Sequence, residues 1–225
     1  EPREGARGFY DRIVSRPAED AHAVEWYLAV LDCLGVPRGI NFEWLPARPA
    51  VAAEVRRKWP EAQERWLVLQ PGARWGNKRW PVEYFAELAR QLTLLYPELR
   101  FAILGGAEDR LLGEVISRAA PQRCLDLTSR LSLPEMIEWI RLSELMVTND
   151  TGPMHVAGAL GTPLVALFSR HPSHSPAKWR PPGMRQVILQ PELAPHEQLN
   201  VSGEAGTRHM ERISGGQALA GNLGL

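Results

Sequence analysis

The chain has only two cysteines in 225 residues, Cys33 and Cys124, far apart and without a Cys-x-x-Cys pair. Neither a disulfide framework nor a zinc site is suggested, and both read as reduced core thiols. Net charge is also missing: 26 Lys plus Arg balance 26 Asp plus Glu. That removes the broad electrostatic footprint of a protein that grips nucleic acid, so any cation needed for function must be local. No apolar run approaches the roughly 20 residues of a transmembrane segment, and no charged-then-apolar signal segment opens the chain. The expectation is a soluble, cytoplasmic protein. Its first residue is Glu1 rather than Met, which leaves room for an upstream segment or domain. Several catalytic signatures are absent too: G-x-S-x-G, H-E-x-x-H, the lactamase serine motif, the P-loop and the G-x-G-x-x-G fingerprint. The lack of any Asp-x-Asp pair argues against a nucleotide-sugar site that clamps a diphosphate through a divalent ion.

What is present is ordinary globular material, 44% hydrophobic and 23% charged. Residues 20–34 place Val24, Tyr27, Leu28, Leu31 and Leu34 at helical spacing, with Asp20 as N-cap and Gly35 as the stop. A short strand is expected over 40–45 and a second helix over 50–58, ended by Trp59-Pro60. From Arg65 onward, short apolar runs at 66–69, 101–104, 125–127, 145–147, 164–168 and 187–189 alternate with helical patterns at 82–96, 110–119, 133–141 and 153–160. Buried strands alternating with helices mean a parallel sheet covered on both faces, an α/β doubly wound, Rossmann-like domain over 65–190. Residues 191–225 form a Gly-rich tail in which Met210, Ile213, Leu219 and Leu223 hint at a helix over 209–220.

Ligands of open parallel sheets bind beyond the carboxyl ends of the strands, so the loops there carry the functional reading. The loop at 70–81 combines Gly72 and Gly76 with Arg74, Lys78 and Arg79 ahead of a helix, a composition suited to phosphate. Its bland alternative is a solvated loop whose Trp75 and Trp80 pack on the sheet. The loop at 149–155, Asn-Asp-Thr-Gly-Pro-Met-His, puts backbone donors of Thr151 and Gly152 at a helix start and His155 one turn further in. The alternative is that Asp150 or Thr151 caps the helix and His155 is an interior histidine. The third loop, Gly105-Gly106-Ala107-Glu108-Asp109, offers a close backbone approach and a carboxylate for ribose hydroxyls, or acidic residues serving the helix dipole.

These blocks carry a family resemblance. Pro71-Gly72-Ala73, Lys78-Arg79-Trp80-Pro81, Leu104-Gly105-Gly106, Asp126-Leu127-Thr128, Ser132-Leu133 and Asn149 through Ala157 resemble, in order, the C-terminal half of family 9 glycosyltransferases, the ADP-heptose:lipopolysaccharide heptosyltransferases. The resemblance implies the GT-B architecture of two Rossmann-like domains, with residues 1–64 the end of the N-terminal domain and the connection. It implies inverting, metal-independent transfer of heptose from an ADP-sugar to a lipid-linked saccharide acceptor of the lipopolysaccharide core. No metal or other cofactor is implied, and the whole enzyme would associate peripherally with the inner membrane. By position, Ala73 and Arg74 would approach the donor phosphates and Lys78 would stabilise the diphosphate leaving group. Glu108 would hold the ribose and Leu131 would line the adenine pocket, while Asp150, Thr151, Gly152 and His155 would bind diphosphate and sugar. The family's general base is a carboxylate of the N-terminal domain, whose region has no counterpart here, so the isolated chain is expected to hold donor without transferring sugar. Where the family has a glycine after the last matched strand, this chain has Ser169-Arg170-His171-Pro172, altering a loop near the sugar. The alternative from another class is a non-catalytic nucleotide-binding or interaction module derived from such an enzyme. In a chain separated from the rest of that N-terminal domain, the Val24, Tyr27, Leu28 and Leu31 face is expected to be a former domain interface through which the chain partly self-associates.

Overall fold

The structure, a computed structural model, describes residues 8, 10–15, 17–18, 21–39, 44–63, 65–183, 185–192 and 209–220. Six strands form one sheet: β1 (Trp66–Gln70), β2 (Arg100–Ile103), β3 (Cys124–Asp126), β4 (Leu145–Asn149), β5 (Leu164–Leu167) and β6 (Gln186–Leu189). Their order is β3-β2-β1-β4-β5-β6 and every pairing is parallel. β1, β4 and β5 are buried along their whole length, as apolar runs covered on both faces must be. Alternate residues feed two cores. Leu67, Leu69, Phe101, Ile103 and Val147 meet Phe85, Leu88, Leu92 and Ile116 of α3 (Val82–Leu95) and α4 (Arg110–Ala119). Trp66, Val68, Ala102 and Met146 meet residues from α2 (Pro49–Lys58), α5 (Leu133–Leu142) and α6 (Gly152–Leu160), including Val55, Trp139 and Met154.

The strand order reverses between β1 and β4, and the crevice at such a switch point is where this class of sheet binds ligands. The loops after β1 and β4 flank it. Those are the two loops whose composition suits an anion.

Packing carries the domain beyond 65–190 at both ends. Val55, Trp59 and Ala62 belong to the second core, where Trp139 makes edge contacts with Trp59 and Trp66 at centroid distances of 6.1 and 5.4 Å. Met210, Ile213 and Ala218 seal the first core, and Trp80 Nε1 donates to the Ile213 carbonyl at 2.8 Å. The tail helix expected over 209–220 is broken by a turn at Glu211 and Arg212, leaving a short α8 (Gly215–Ala220) after α7 (Pro176–Trp179). The tail's contacts come from its distant apolar side chains, which a Gly-rich local pattern conceals.

The first helix, α1 (Ala23–Leu34), starts three residues later than expected. Its N-cap is His22, whose Nδ1 accepts from the Val24 N–H, while Asp20 lies outside the described residues. Gly35 ends the helix at φ 70°, the left-handed conformation that glycine adopts without strain. Tyr27, Val30 and Leu34 of α1 remain exposed. Of the strand expected over 40–45, residues 40–43 lie outside the described residues. Trp44 and Leu45 are irregular, with Leu45 N–H donating to the Ala159 carbonyl and Arg141 donating to the carbonyls of Leu45 and Pro46.

Candidate functional site at the sheet switch point

Asn149, the last residue of β4, joins the two loops. Its Oδ1 accepts the Trp80 N–H at 3.0 Å and its Nδ2 donates to the Pro71 carbonyl at 2.8 Å, with the side chain fully buried. One amide side chain therefore satisfies both ends of the loop between Pro71 and Trp80 and sets it against the start of α6. Across that junction Lys78 Nζ meets Asp150 Oδ2 at 2.6 Å, the two side chains being 16% and 5% exposed. A nearly desolvated pair of this kind fixes the ammonium in place before any ligand arrives. Thr151 caps α6 without a side-chain hydrogen bond, and its first turn runs Gly152-Pro153-Met154, with Pro153 bringing no N–H. A Cβ at Gly152 would meet nothing within 4 Å, so the helix start is unobstructed.

A cleft of about 650 Å³ runs from this junction toward β2 and β3, lined among others by Ala73, Arg74, Glu108, Leu131, Met136 and Thr151. Arg79 also reaches it while its Nε holds the Ala73 carbonyl at 2.8 Å. Asp109 is 5% exposed beneath the floor, its Oδ2 accepting the Gly106 N–H at 3.0 Å. Burial raises its pKa, Glu108 adds to the rise, and the Gly106 N–H and Arg79 oppose it. Glycine is needed above this carboxylate, because a Cβ at Gly72 would sit 2.3 Å from Asp109 Oδ2 and one at Gly105 would sit 2.7 Å from its Cβ.

A second pocket of about 410 Å³ adjoins the cleft, sharing Arg74 and Thr151 with it. Lys78, Asp150, Gly152, His155, His174 and Trp179 line it. Desolvation lowers the pKa of His155; Asp150 opposes that shift, while His22 and Lys78 reinforce it. His174 is pushed down to about 4 by burial, Lys78 and His171.

All nine residues singled out from the sequence line these two adjoining cavities. Ala73, Glu108 and Leu131 lie in the larger, Lys78, Asp150, Gly152 and His155 in the smaller, and Arg74 and Thr151 in both. The basic loop is less uniform than its composition suggested. Trp80 is core, 1% exposed, whereas Trp75 is 57% exposed with the Arg74 guanidinium 5.4 Å from its ring centroid. Sequence reasoning missed Asn149 as the organiser, although it begins the quoted block, missed His174, and named Asp109 in the third loop without its buried role under Gly72 and Gly105. The signal for His174 was the unusual histidine-rich loop after β5, which no local period links to β4. Among the described residues no group of three His, Cys, Asp or Glu side chains is placed to hold a metal ion. No helix there is long and apolar enough to cross a membrane.

Comparison with known proteins agrees with this fold and places the chain in a family. Lipooligosaccharide heptosyltransferase 2 of Haemophilus influenzae is 34% identical over 144 residues, 59% of this chain and 41% of that protein. Lipopolysaccharide heptosyltransferase 2 of Salmonella typhimurium is 39% identical over 113 residues, covering 48% and 32%. The chain thus spans less than half the length of these curated relatives. Among solved structures, E. coli ADP-heptose lps heptosyltransferase II superposes with a TM-score of 0.73 at 24% identity, covering 92% of this chain and 63% of that one. A family 9 glycosyl transferase from Veillonella parvula gives 0.79 at 21% identity, covering 96% and 63%. These two likenesses establish the fold, the Rossmann-like half of a GT-B architecture. The family model for glycosyltransferase family 9 (heptosyltransferase) matches residues 1–203, and the chain belongs to that family.

Proposed function

We propose that this chain is the donor-binding part of a heptosyltransferase that transfers heptose from an ADP-sugar to a lipopolysaccharide core acceptor. The observation that carries the reading is the Lys78–Asp150 pair, which lines the smaller of the two adjoining cavities at the switch point, with the Lys78 loop tethered by Asn149. The larger cavity, with apolar Leu131 and Met136 and the carboxylate of Glu108, suits a nucleoside. The smaller suits a sugar. A diphosphate spanning them would lie against Lys78, Arg74 and the N-terminus of α6, three sources of positive potential. Cleavage of the sugar–phosphate bond leaves negative charge on the diphosphate, and a preplaced ammonium favours that charge more than the ground state. This supports metal-independent chemistry. An inverting displacement also needs a base for the acceptor hydroxyl, and the family resemblance assigns that base and the lipid-linked acceptor to an N-terminal domain.

Calorimetric titration with ADP tests the reading directly. The 225-residue chain is expected to bind ADP, and Lys78→Ala to weaken binding by about 10- to 100-fold, the worth of a charge-assisted hydrogen bond at a desolvated site. Absence of binding at millimolar ADP would overturn it.

A further inference from the structure

His174 lies outside the residues that the family resemblance assigns, yet it faces the same small pocket as Lys78, Asp150 and His155. Topology brings it there. The loop after β5 stands beside the loop after β4 because those strands are neighbours, with Asn149 opposite Leu167. A hydrogen-bond relay then orients the ring. Ser169, 3% exposed, receives the His171 N–H on its Oγ at 3.4 Å, and that Oγ is 3.2 Å from His174 Nδ1. That bond uses Nδ1, as donor or acceptor according to the tautomer, and leaves Nε2 for another partner. His174 therefore offers a neutral imidazole nitrogen, a donor in one tautomer and an acceptor in the other. Burial foremost, with Lys78 and His171, keeps the ring neutral against the opposing pull of Asp150.

The charge at this pocket is divided. Lys78 is the cation beside Asp150, whereas His174 is a polar group without charge. A phosphate oxygen is best met by the first and a sugar hydroxyl by the second, because a hydroxyl both donates and accepts and so pairs with a neutral imidazole nitrogen in either tautomer. Resting on the donor-site reading above, we infer that His174 recognises a hydroxyl of the transferred sugar, through the imidazole that Ser169 holds in place, and so determines which glycosyl group is accepted. The loop after β5 thus acts as a specificity element.

The test compares ADP with ADP-heptose in calorimetric titrations of the 225-residue chain at pH 7.5. His174→Ala is expected to leave ADP affinity within about twofold and to weaken ADP-heptose about tenfold, the scale of one hydrogen bond. Unchanged ADP binding also reports that the variant is folded. Ser169→Ala, which removes the hydrogen bond that holds the ring while keeping the ring itself, is expected to weaken ADP-heptose by about two- to threefold with ADP again unaffected. Equal losses for both ligands in His174→Ala, or no loss for either, would overturn the sugar-recognition role and leave the donor site standing. Failure of the unsubstituted chain to bind either ligand would overturn the donor-site reading and this inference with it.

Discussion

At the scale of single residues, Asn149 shows how one buried side chain can assemble a site it does not chemically serve. Both halves of its amide are used, one on the Trp80 N–H and one on the Pro71 carbonyl, in a place with no water to substitute for them. Asn149→Ala leaves a buried donor and a buried acceptor unpaired, each costing about 1–3 kcal/mol. The loop carrying Arg74 and Lys78 also loses its tether. Urea denaturation is expected to show a loss of about 2–4 kcal/mol, and ADP titration a weakening of at least tenfold at a temperature where the variant remains folded. Asn149→Asp separates the two bonds, because a carboxylate keeps the acceptor for Trp80 but faces the Pro71 carbonyl without a donor. A stability equal to that of the native chain in both variants would mean that the loop is held by other contacts.

At the scale of elements, the start of α5 illustrates a helix end built for its position in the second core. Ser132 and Glu135 form a capping box, with Glu135 Oε2 accepting from the Ser132 N–H at 2.8 Å and from its hydroxyl at 2.6 Å. Glu135 is 6% exposed and also meets Lys58 of α2, so one carboxylate both caps α5 and ties α2 to it. The Lys58 hydrogen bond foremost, with the Ser132 bonds, lowers its pKa from 4.5 to about 2. Since the folded value lies below the unfolded one, the stabilisation is present in full above about pH 4.5 and is lost as pH falls toward 2. Glu135→Ala is expected to cost about 2–3 kcal/mol at neutral pH, combining a lost cap with a lost partner for Lys58. Denaturation at pH 7 and pH 3 should show the gap between native and variant narrowing in acid. A gap independent of pH would mean that the glutamate contributes through packing alone.

At the scale of the molecule, what the sequence revealed followed from how local each constraint is. The strands are legible as short apolar runs, buried throughout in β1, β4 and β5 and half-buried in β3 and β6 at the sheet edges. The first anion loop is legible because glycine and cations cluster within a dozen residues, and the second because a strand gives way to a helix at Thr151 and Gly152. Asp109 beneath Gly72, and His174 in the same pocket as Asp150, are juxtapositions of separate crossovers that no periodicity encodes. The tail is the extreme case, since Met210 and Ile213 complete a core begun at Leu67. Trp80 joins that remote closure to the site: its backbone N–H is held by Asn149, its indole N–H by the Ile213 carbonyl, and its ring packs on Phe85 with a centroid distance of 4.9 Å. The tail therefore stabilises the domain through side chains, while its link to the binding loop runs through a backbone carbonyl. Ile213→Ala removes the side chain, 1% exposed, and keeps the carbonyl. It is expected to lower stability by about 2–4 kcal/mol in urea denaturation. ADP affinity should remain unchanged well below the new midpoint. Trp80→Phe removes the indole donor instead and is expected both to destabilise the fold and to weaken ADP, because the ring that seats the binding loop then loses its anchor to the tail. Parallel losses of ADP affinity in the two variants would show that the tail's packing, and not the tryptophan's hydrogen bond, governs the position of the loop.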